Sequence, residues 1–368
     1  MKGGTGSDEY YVDNAGDKVI EFAGEGDADT IHTSVTFNIS ANGERLIMEP
    51  GAGDIDAFGN SLDNLIHGNE GNNSIWGGGG KDIIFGGDGL DHLYGGNGDD
   101  DLDAGFNDGY ADVMKGGLDN DTYHIYGNDI VIENQGEGWD RIFSSMTHTL
   151  EANVEELVLE GTANIDGAGN ELDNTITGNT GNNMLFGYGG MDTLIGGGGD
   201  DSMWGGDGDD TYYIDGDLDH VFEHAGPNGG IDRVYSSGFI TTLSDNVEIL
   251  QLTGNAVMAF GNSGANTIVG TDGANYIDGR DGADNLSGGG GDDTFVFRAG
   301  EANGDAIYDF SGHGADGDEM EFQGYGPGAT FQQVSATEWR ISSADGSIQD
   351  TIVLIGAPTL DASDWHFA

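Results

Sequence analysis

The chain contains no cysteine and only 4 prolines in 368 residues. Without thiols it forms neither a disulfide nor a thiolate metal site, which suits an extracellular protein stabilised by a bound metal. With so few prolines and no three-residue period, its 70 glycines are not those of a collagen. The glycines must therefore serve another repetitive structure.

Basic residues are also scarce. Lys and Arg total 10 against 67 Asp and Glu, and the formal net charge is −57. Nucleic acids and anionic membranes are excluded as partners, because both attract clustered basic residues. Such a charge also opposes compaction unless a counter-charge is supplied. Because 36% of the residues are hydrophobic and regularly spaced, we expect order that depends on a counter-ion.

The sequence also lacks long apolar segments. No apolar run approaches the roughly 20 residues of a membrane span. The N-terminal sequence MKGGTGSDEYY lacks the apolar region of a secretory signal peptide. It opens inside a repeat, which suggests a piece cut from a longer protein.

Tandem nonapeptides dominate what is present. Three arrays occupy residues 59–124, 169–213 and 261–296, and an orphan unit lies near the N-terminus. Their common pattern is G-G-x-G-x-D-x-U-x, where U is a large apolar residue, as in GGDGLDHLY (86–94). This pattern is typical of repeats that bind Ca²⁺ in a parallel β-helix.

A longer period is nested on the nonapeptides. The orphan unit and the arrays each end with an aromatic residue at the U position, and linkers with alternating apolar and polar residues follow. Alternation of this kind predicts strands. The period divides the chain into three array-containing units and a C-terminal cap: 1–124, 125–213, 214–296 and 297–368.

Each nonapeptide divides into six turn residues and three strand residues. The U side chain then points inward and its two neighbours point outward. Two nonapeptides form one coil. The sequence therefore predicts an all-β fold: a right-handed parallel β-roll or β-helix solenoid with a β C-terminal cap.

Stacked turns of such a coil have the dimensions of a calcium site. Parallel strands lie about 4.8 Å apart, and Ca²⁺–oxygen distances are about 2.3–2.6 Å. An ion between two turns can therefore contact carbonyl and carboxylate oxygens of both. We predict several Ca²⁺ ions, held between sixth-position residues two nonapeptides apart.

The strongest predicted pairs are Asp82 with Asp100, Asp91 with Asp112, Asp100 with Asp121, and Asp192 with Asp210. The weaker, mixed pairs are Asn73 with Asp91, Asn183 with Asp201, Asn266 with Asp284, and Asn275 with Asp293. The predicted carboxylate ligands are Asp82, Asp91, Asp100, Asp112, Asp121, Asp192, Asp201, Asp210, Asp284 and Asp293. The predicted carbonyl ligands, at positions one and three, are Gly77, Gly79, Gly86, Asp88, Gly95, Asn97, Gly187, Gly189, Gly196, Gly198, Gly205, Asp207, Gly279, Asp281, Gly288 and Gly290.

Other acidic residues are expected to play a different part. Fifth-position aspartates such as Asp99 are expected to cap turns, because the roll predicts their carbonyl and not their carboxylate as a ligand. The linker acids Glu133 and Glu137 are likewise expected to be turn caps and not metal ligands.

These repeats resemble the RTX family of haemolysin-type calcium-binding repeats, over nearly the whole chain. The segment FVFRAGEANGDAIYDF (295–310), with DWHF near the end, resembles the C-terminal domain of serralysin-type secreted proteases. The resemblance implies export by type I secretion machinery and folding outside the cell, where calcium is available. It also implies a secreted or cell-surface location, with a polysaccharide or a cell-surface structure as a further partner.

A search of the sequence for catalytic motifs favours a protein that is not an enzyme. There is no HExxH motif, and HVFEH (220–224) aligns with a strand-like part of the other linker, where its two histidines share no helix face. There is also no GxSxG nucleophile motif. The predicted function is a structural, secretion or surface module. The alternatives are a part of a secreted polysaccharide-acting enzyme, such as an epimerase or lyase, and a pore-forming toxin fragment.

Overall fold

The computed structural model describes residues 1–23, 29–106, 109–216, 218–226, 228–312, 317–356 and 359–368. The chain divides into two compact units, one of residues 1–161 with 165–176 and one of residues 162–164 with 177–368. Within these described ranges the regular elements are all β-strands, as predicted. None of the described residues belongs to a helix of the length and apolar character that a membrane span requires.

The strands of the first unit are β1 (Glu9–Val12), β2 (Thr30–Thr33), β3 (Phe37–Asn38), β4 (Arg45–Met48), β5 (Ala57–Phe58), β6 (Leu65–His67), β7 (Ser74–Gly79), β8 (Ile83–Phe85), β9 (His92–Asn97), β10 (Asp101–Asp103), β11 (Val113–Leu118), β12 (Thr122–Ile125), β13 (Ile130–Val131), β14 (Arg141–Ser144), β15 (His148–Thr149), β16 (Glu156–Leu159) and β17 (Gly167–Ala168). The next strand, β18 (Thr175–Thr177), contains the sequence boundary between the units.

The strands of the second unit are β19 (Met184–Gly189), β20 (Thr193–Ile195), β21 (Ser202–Asp207), β22 (Thr211–Ile214), β23 (His220–Phe222), β24 (Arg233–Ser236), β25 (Ile240–Thr242), β26 (Ile249–Leu252), β27 (Met258–Phe260), β28 (Thr267–Val269), β29 (Tyr276–Asp278), β30 (Asn285–Ser287), β31 (Thr294–Arg298), β32 (Ala306–Ile307), β33 (Glu319–Gln323), β34 (Thr330–Gln333), β35 (Glu338–Ser342), β36 (Gln349–Leu354) and β37 (Trp365–Phe367).

Strands of the first unit stack in parallel rows. One row runs β1–β2–β4–β6–β8–β10–β12–β14–β16. A second runs β3–β5–β7–β9–β11–β13, and β15 pairs with β17. Consecutive strands of the chain in the array alternate between rows, so that each coil of the solenoid contributes one strand to each.

The second unit repeats this arrangement and adds a cap. Its rows are β20–β22–β24–β26–β28–β30–β32, β19–β21–β23 and β25–β27–β29–β31–β33–β37, all parallel. Beyond them, β34, β35 and β36 form an antiparallel meander, and β36 pairs parallel with β32. The meander covers the end of a row that would otherwise expose unpaired backbone groups. The predicted β cap is confirmed.

The U residues form the core, as predicted. Ile66 lies opposite Ile84, and Ile84 lies opposite Leu102, so one coil contains two nonapeptides. All three side chains have no exposed surface, whereas their strand neighbours are partly exposed. Burial of one such side chain contributes about 1.5–3 kcal/mol, and the repeat adds one in every nonapeptide.

Glycine is required where turns of successive coils stack. Gly96 has a φ of 124°, in the left-handed region that other residues rarely adopt. A Cβ at Gly96 would also lie 2.9 Å from the carbonyl carbon of Gly78 in the preceding coil. Glycine at this position therefore allows the turns to lie close enough for oxygens of two coils to surround one ion.

Candidate metal centres

The sixth-position aspartates form ladders along the turns. In each of the four strongest predicted pairs, the backbone N–H of the first aspartate donates to Oδ1 of the second, at 2.7–2.8 Å. The mixed pairs have the same bond, from an asparagine N–H to Oδ1 of the next aspartate, at 2.7–2.8 Å. The structure thus stacks every predicted pair in neighbouring coils.

The second carboxylate oxygen of these aspartates is the unusual group. In five of these aspartates, Oδ2 is buried and accepts no hydrogen bond from the described residues. They are Asp82, Asp100, Asp121, Asp201 and Asp284. These residues are at most 1% exposed. A buried carboxylate oxygen without a partner is costly, because its desolvation is not compensated. A cation at Oδ2 would remove that cost.

The position-one glycines border the same space. A Cβ on Gly86 would lie 2.7 Å from Asp91 Oδ2 and 2.7 Å from the carbonyl oxygen of Ala104 in the next coil. A Cβ on Gly77 would lie 2.8 Å from the carbonyl oxygen of Gly95, beside Asp82 Oδ2. Carboxylate and carbonyl oxygens of two coils therefore surround a space that only glycine leaves free. Oxygen-only donors of this kind suit Ca²⁺.

All eight predicted position-one glycines are buried beside Oδ2 of the aspartate of their own nonapeptide: Gly77, Gly86, Gly95, Gly187, Gly196, Gly205, Gly279 and Gly288. The predicted position-three residues lie mainly at the partly exposed rim of the turns: Gly79, Asp88, Asn97, Gly189, Gly198, Asp207, Asp281 and Gly290. Gly189 is the buried member of this second set.

The position-three carbonyls also join neighbouring coils. The carbonyl oxygen of Asp207 accepts the N–H of Gly190 at 3.0 Å. A carbonyl oxygen has two lone pairs, so this bond leaves one for a cation. The structure thus brings the position-one glycines to the carboxylates and puts the position-three residues at the edge of the same turns.

Asparagine at the sixth position behaves differently from aspartate. Asn64 Oδ1 accepts the N–H of Asn60 at 2.8 Å, and its Nδ2 donates to the carbonyl oxygen of Gly43 at 3.2 Å. Asn266 has the equivalent bonds to Asn262 and Val247. Both polar atoms of these amides have partners within the protein. This favours the prediction that rows with asparagine hold metal weakly.

The ladders continue beyond the nonapeptides, which the sequence analysis missed. Asp129, Asp140, Asp219, Asp232, Asp305 and Asp318 each accept, through Oδ1, the N–H of the last aspartate of an array ladder, at 2.8–3.1 Å. The sequence did contain a signal for two of these residues, Asp140 and Asp232. In the aligned linker sequences GEGWDRIF and NGGIDRVY, the aspartate precedes the strand as a sixth-position residue does.

The two linker glutamates have different environments. Glu137 Oε2 accepts the N–H of Asn134 at 3.1 Å, so it is the turn cap that was predicted. The prediction was wrong for Glu133, which is 7% exposed and accepts a hydrogen bond from the Tyr123 hydroxyl. Its carboxylate lies with those of Asp121 and Asp140. Burial in the solenoid, and not the local turn, determines its environment.

HVFEH (220–224) lies where the linker alignment predicted. His220 begins β23, a strand, and His224 Nδ1 lies 3.1 Å from Asp207 Oδ1. The two histidines therefore share no helix face that could bind zinc.

Burial raises the pKa of the ladder carboxyls. The pKa is raised to about 7 for Asp82, to about 8 for Asp121 and Asp284, and to about 6 for Asp100. Burial is the largest cause for each of them. Neighbouring carboxylates raise these pKa values further, while the N–H that each Oδ1 accepts lowers them. These groups thus ionise reluctantly unless a cation joins them.

The stability that Ca²⁺ adds is expected to grow between about pH 5.5 and pH 8. A carboxyl whose pKa is raised in the folded chain stabilises the Ca²⁺-free fold at low pH, and this contribution is lost as pH rises toward the raised value. Protons also compete with Ca²⁺ for the same oxygens. Thermal unfolding with and without Ca²⁺ across this pH range measures the difference. A Ca²⁺ effect that shrinks with rising pH would contradict the ladder.

Five segments of the chain match a known family of repeats. Residues 58–93, 82–111, 168–201, 186–221 and 260–295 match the family model of the RTX calcium-binding nonapeptide repeat (4 copies). The chain carries RTX repeats. RTX repeats bind Ca²⁺, and the matched segments contain every aspartate and glycine predicted above as a ligand, except Asp112 and Asp121.

Two further similarities are partial. Over 68 residues the chain is 44% identical to endo-1,3-1,4-beta-glycanase ExsH of Rhizobium meliloti (strain 1021), a match of 18% of this chain and 14% of the glycanase. The crystal structure of the extracellular lipase LipA from Serratia marcescens aligns with a TM-score of 0.28 and 19% identity, over 64% of this chain and 45% of the lipase. The chain thus spans less than half the length of either protein.

Proposed function

We propose that this chain is a secreted calcium-binding RTX module that folds when Ca²⁺ binds, with a structural, secretion or surface role and no catalytic activity. The observation that carries the proposal is the row of buried Oδ2 atoms, exemplified by Asp82 and Asp100, that accept no hydrogen bond from the described residues. They lie in turns whose other oxygens suit Ca²⁺.

The proposed ligands are the sixth-position aspartates with the position-one and position-three carbonyls named above. Each ion would lie between two coils, and an aspartate inside a ladder would contact ions on both sides. We propose that residues 1–124, 125–213 and 214–296 order around their own arrays, and that residues 297–368 form the cap and contain an uncleaved secretion signal.

Calcium-dependent folding suits export. With a net charge of −57, the chain would remain unfolded in a cytosol poor in calcium and pass through type I secretion machinery in that state. Outside the cell, calcium neutralises the ladders, and its binding free energy becomes folding free energy. The similarity of the C-terminal segment to the serralysin-type domain supports this route and an extracellular or cell-surface location.

A calcium titration by calorimetry tests the proposal. We expect roughly 6–10 ions per chain, with dissociation constants of about 10⁻⁴–10⁻³ M, the range of extracellular modules. Release of heat should accompany the gain of β-structure, because binding and folding are coupled. Binding of no ion, or of one or two only, would contradict a module built on repeated sites.

The similarity to the glycanase favours one second candidate, an accessory or catalytic part of a secreted polysaccharide-acting enzyme. Outward aromatic ladders could in principle contact a sugar chain. In the ladder of Phe58, Trp76 and Tyr94, however, ring centroids lie 4.5 and 5.1 Å apart and the rings are nearly parallel. Their faces therefore contact each other, and mainly ring edges remain for a sugar. Cleavage of a β-glucan by the purified, Ca²⁺-loaded chain would establish this second candidate instead.

A further inference from the structure

Three clusters of acidic residues recur where a nonapeptide run passes into a linker. Each contains the last sixth-position aspartate of the run, a glutamate from the linker and an aspartate from the next coil. In each, one ligand atom from every residue lies within 4.8 Å of the others. The clusters are Asp8–Glu21–Asp29, Asp121–Glu133–Asp140 and Asp210–Glu223–Asp232.

The second cluster is the most deeply buried. Asp121 and Asp140 are each 1% exposed, and Glu133 is 7% exposed. Asp121 Oδ2 and Glu133 Oε2 accept no hydrogen bond from the residues that the structure describes. In the third cluster, the same holds for Oδ2 of Asp232, which has no exposed surface. Carboxylates this close and this buried need a cation or protons between them.

A tyrosine at the U position orients the glutamate in every cluster. Tyr10, Tyr123 and Tyr212 donate a hydroxyl hydrogen bond to Oε1 of Glu21, Glu133 and Glu223, respectively. In the second cluster the same hydroxyl accepts the N–H of Gly116 at 2.6 Å. In the second cluster the tyrosine thereby fixes Oε1 of Glu133 and leaves Oε2 for a ligand. In the third cluster, Glu223 Oε2 also accepts the N–H of His224 at 2.9 Å.

The tyrosine hydroxyl that holds the glutamate lies beside the last position-one glycine of the run. A Cβ on Gly95, inside the array, would lie 2.7 Å from the carbonyl oxygen of Gly116 in the next coil. At Gly116, the last position-one glycine, the three nearest atoms belong to Asp121 and the Tyr123 hydroxyl, and none is a carbonyl of the next coil. Gly205, beside Asp210 and Tyr212, repeats this pattern. Beside these glycines, the nearest oxygens thus belong to side chains.

The third array offers an internal comparison. It ends in Phe295, which has no hydroxyl. In the described part of the chain, no three-carboxylate cluster of this kind gathers at its end. Among the described residues, each cluster glutamate therefore accompanies a tyrosine, as expected if one positions the other.

We propose that these clusters are a second class of cation site, distinct from the RTX turn sites, in which three carboxylates bind one Ca²⁺ and close the end of a nonapeptide run. Three carboxylates give such a site more negative charge than a turn site, and charge count tunes calcium affinity. Because two of the three ligands come from beyond the array, the ion ties the linker to the last coil. The tyrosine is a positioning residue.

The test is calorimetry of the full chain carrying Glu133→Gln and Glu223→Gln. Glutamine keeps the shape and removes the charge. We expect two ions to be lost from the Ca²⁺ count, or two ions to bind at least about tenfold more weakly, while the turn sites bind as before. Glu137→Gln, in the same linker as Glu133 but outside the cluster, is the matched control and should leave the isotherm unchanged.

Two further variants complete the test. Tyr123→Phe with Tyr212→Phe should weaken the same two ions and keep their number, because the carboxylates remain. If the glutamine variant does not fold at all, Glu133→Asp decides: folding restored with one weakened ion supports the site, and any other result overturns it.

An isotherm of the glutamine variant identical to that of the unaltered chain would show that protons, not Ca²⁺, hold the clusters together. The inference rests on the proposed calcium-dependent folding, but different results would refute the inference and the proposed function. Absence of Ca²⁺ binding by the unaltered chain refutes the proposed function. Normal binding by the glutamine variant refutes only the second class of site.

Discussion

Removal of Ca²⁺ is expected to convert the β-solenoid into a disordered chain. In the ladder of Asp82, Asp100, Asp121 and Asp140, carboxyl groups stack in successive coils, about 4.8 Å apart if they follow the strand spacing. Above their raised pKa values, the highest of which is about 8, all of them are ionised. At an effective dielectric constant of about 20, each neighbouring pair repels by about 3 kcal/mol. A domain is stabilised by only about 5–15 kcal/mol in total, so a few such pairs are enough to unfold it.

Far-ultraviolet circular dichroism during an EGTA titration measures this effect. The β signal should disappear as Ca²⁺ is removed and return when it is added back. Mg²⁺ is the control, since its smaller octahedral shell suits these turns poorly, and it should not restore the signal at the same concentration. A sample that keeps its full β signal in excess EGTA at a pH above about 8, where the ladder carboxyls are ionised, would show that the ladders need no cation.

Asp100→Ala is expected to be far more damaging than Asp99→Ala, its immediate neighbour. Asp100 is 1% exposed, its Oδ1 accepts the N–H of Asp82, and its own N–H donates to Asp121. Alanine would remove a proposed ligand of two ions and leave the Asp82 N–H buried without a partner, which by itself costs about 1–3 kcal/mol. Asp99 is exposed, and its Oδ1 accepts the N–H of Asn120 at 3.0 Å.

The measurement is the Ca²⁺ concentration at the midpoint of folding, together with the ion count. For Asp100→Ala we expect a higher midpoint and the loss of one or two ions. For Asp99→Ala we expect the full count and a change in stability within about 1 kcal/mol. Equal effects of the two substitutions would mean that the assigned register of the nonapeptide is wrong.

Asn64 and Asp82 show how much of the metal-binding chemistry can be predicted from the residue type at the sixth position. Both are sixth-position residues, and they lie in corresponding turns of successive coils. The difference between an amide and a carboxylate, however, changes what the turn can bind. The amide donates to a backbone carbonyl, whereas Oδ2 of the carboxylate accepts no hydrogen bond from the described residues. That distinction was predictable from residue type, because asparagine carries its own donor.

The sequence by itself determined the coil. A nonapeptide places glycine at the turns, an inward side chain such as Ile84 in the strand and a carboxylate such as Asp82 before it, and identical neighbours then stack in register. Each of these features is local and repeated, so periodicity suffices to predict it.

Only the tertiary structure decided what the irregular linkers contribute. Glu133 and Glu137 are four residues apart in one linker, yet one is buried against Tyr123 and the other caps its own turn. No local pattern separates them, because the burial of Glu133 depends on how the linker wraps over the last coil of the array. The placement of Asp129 under Asp112 likewise comes from that wrapping and not from a fixed spacing.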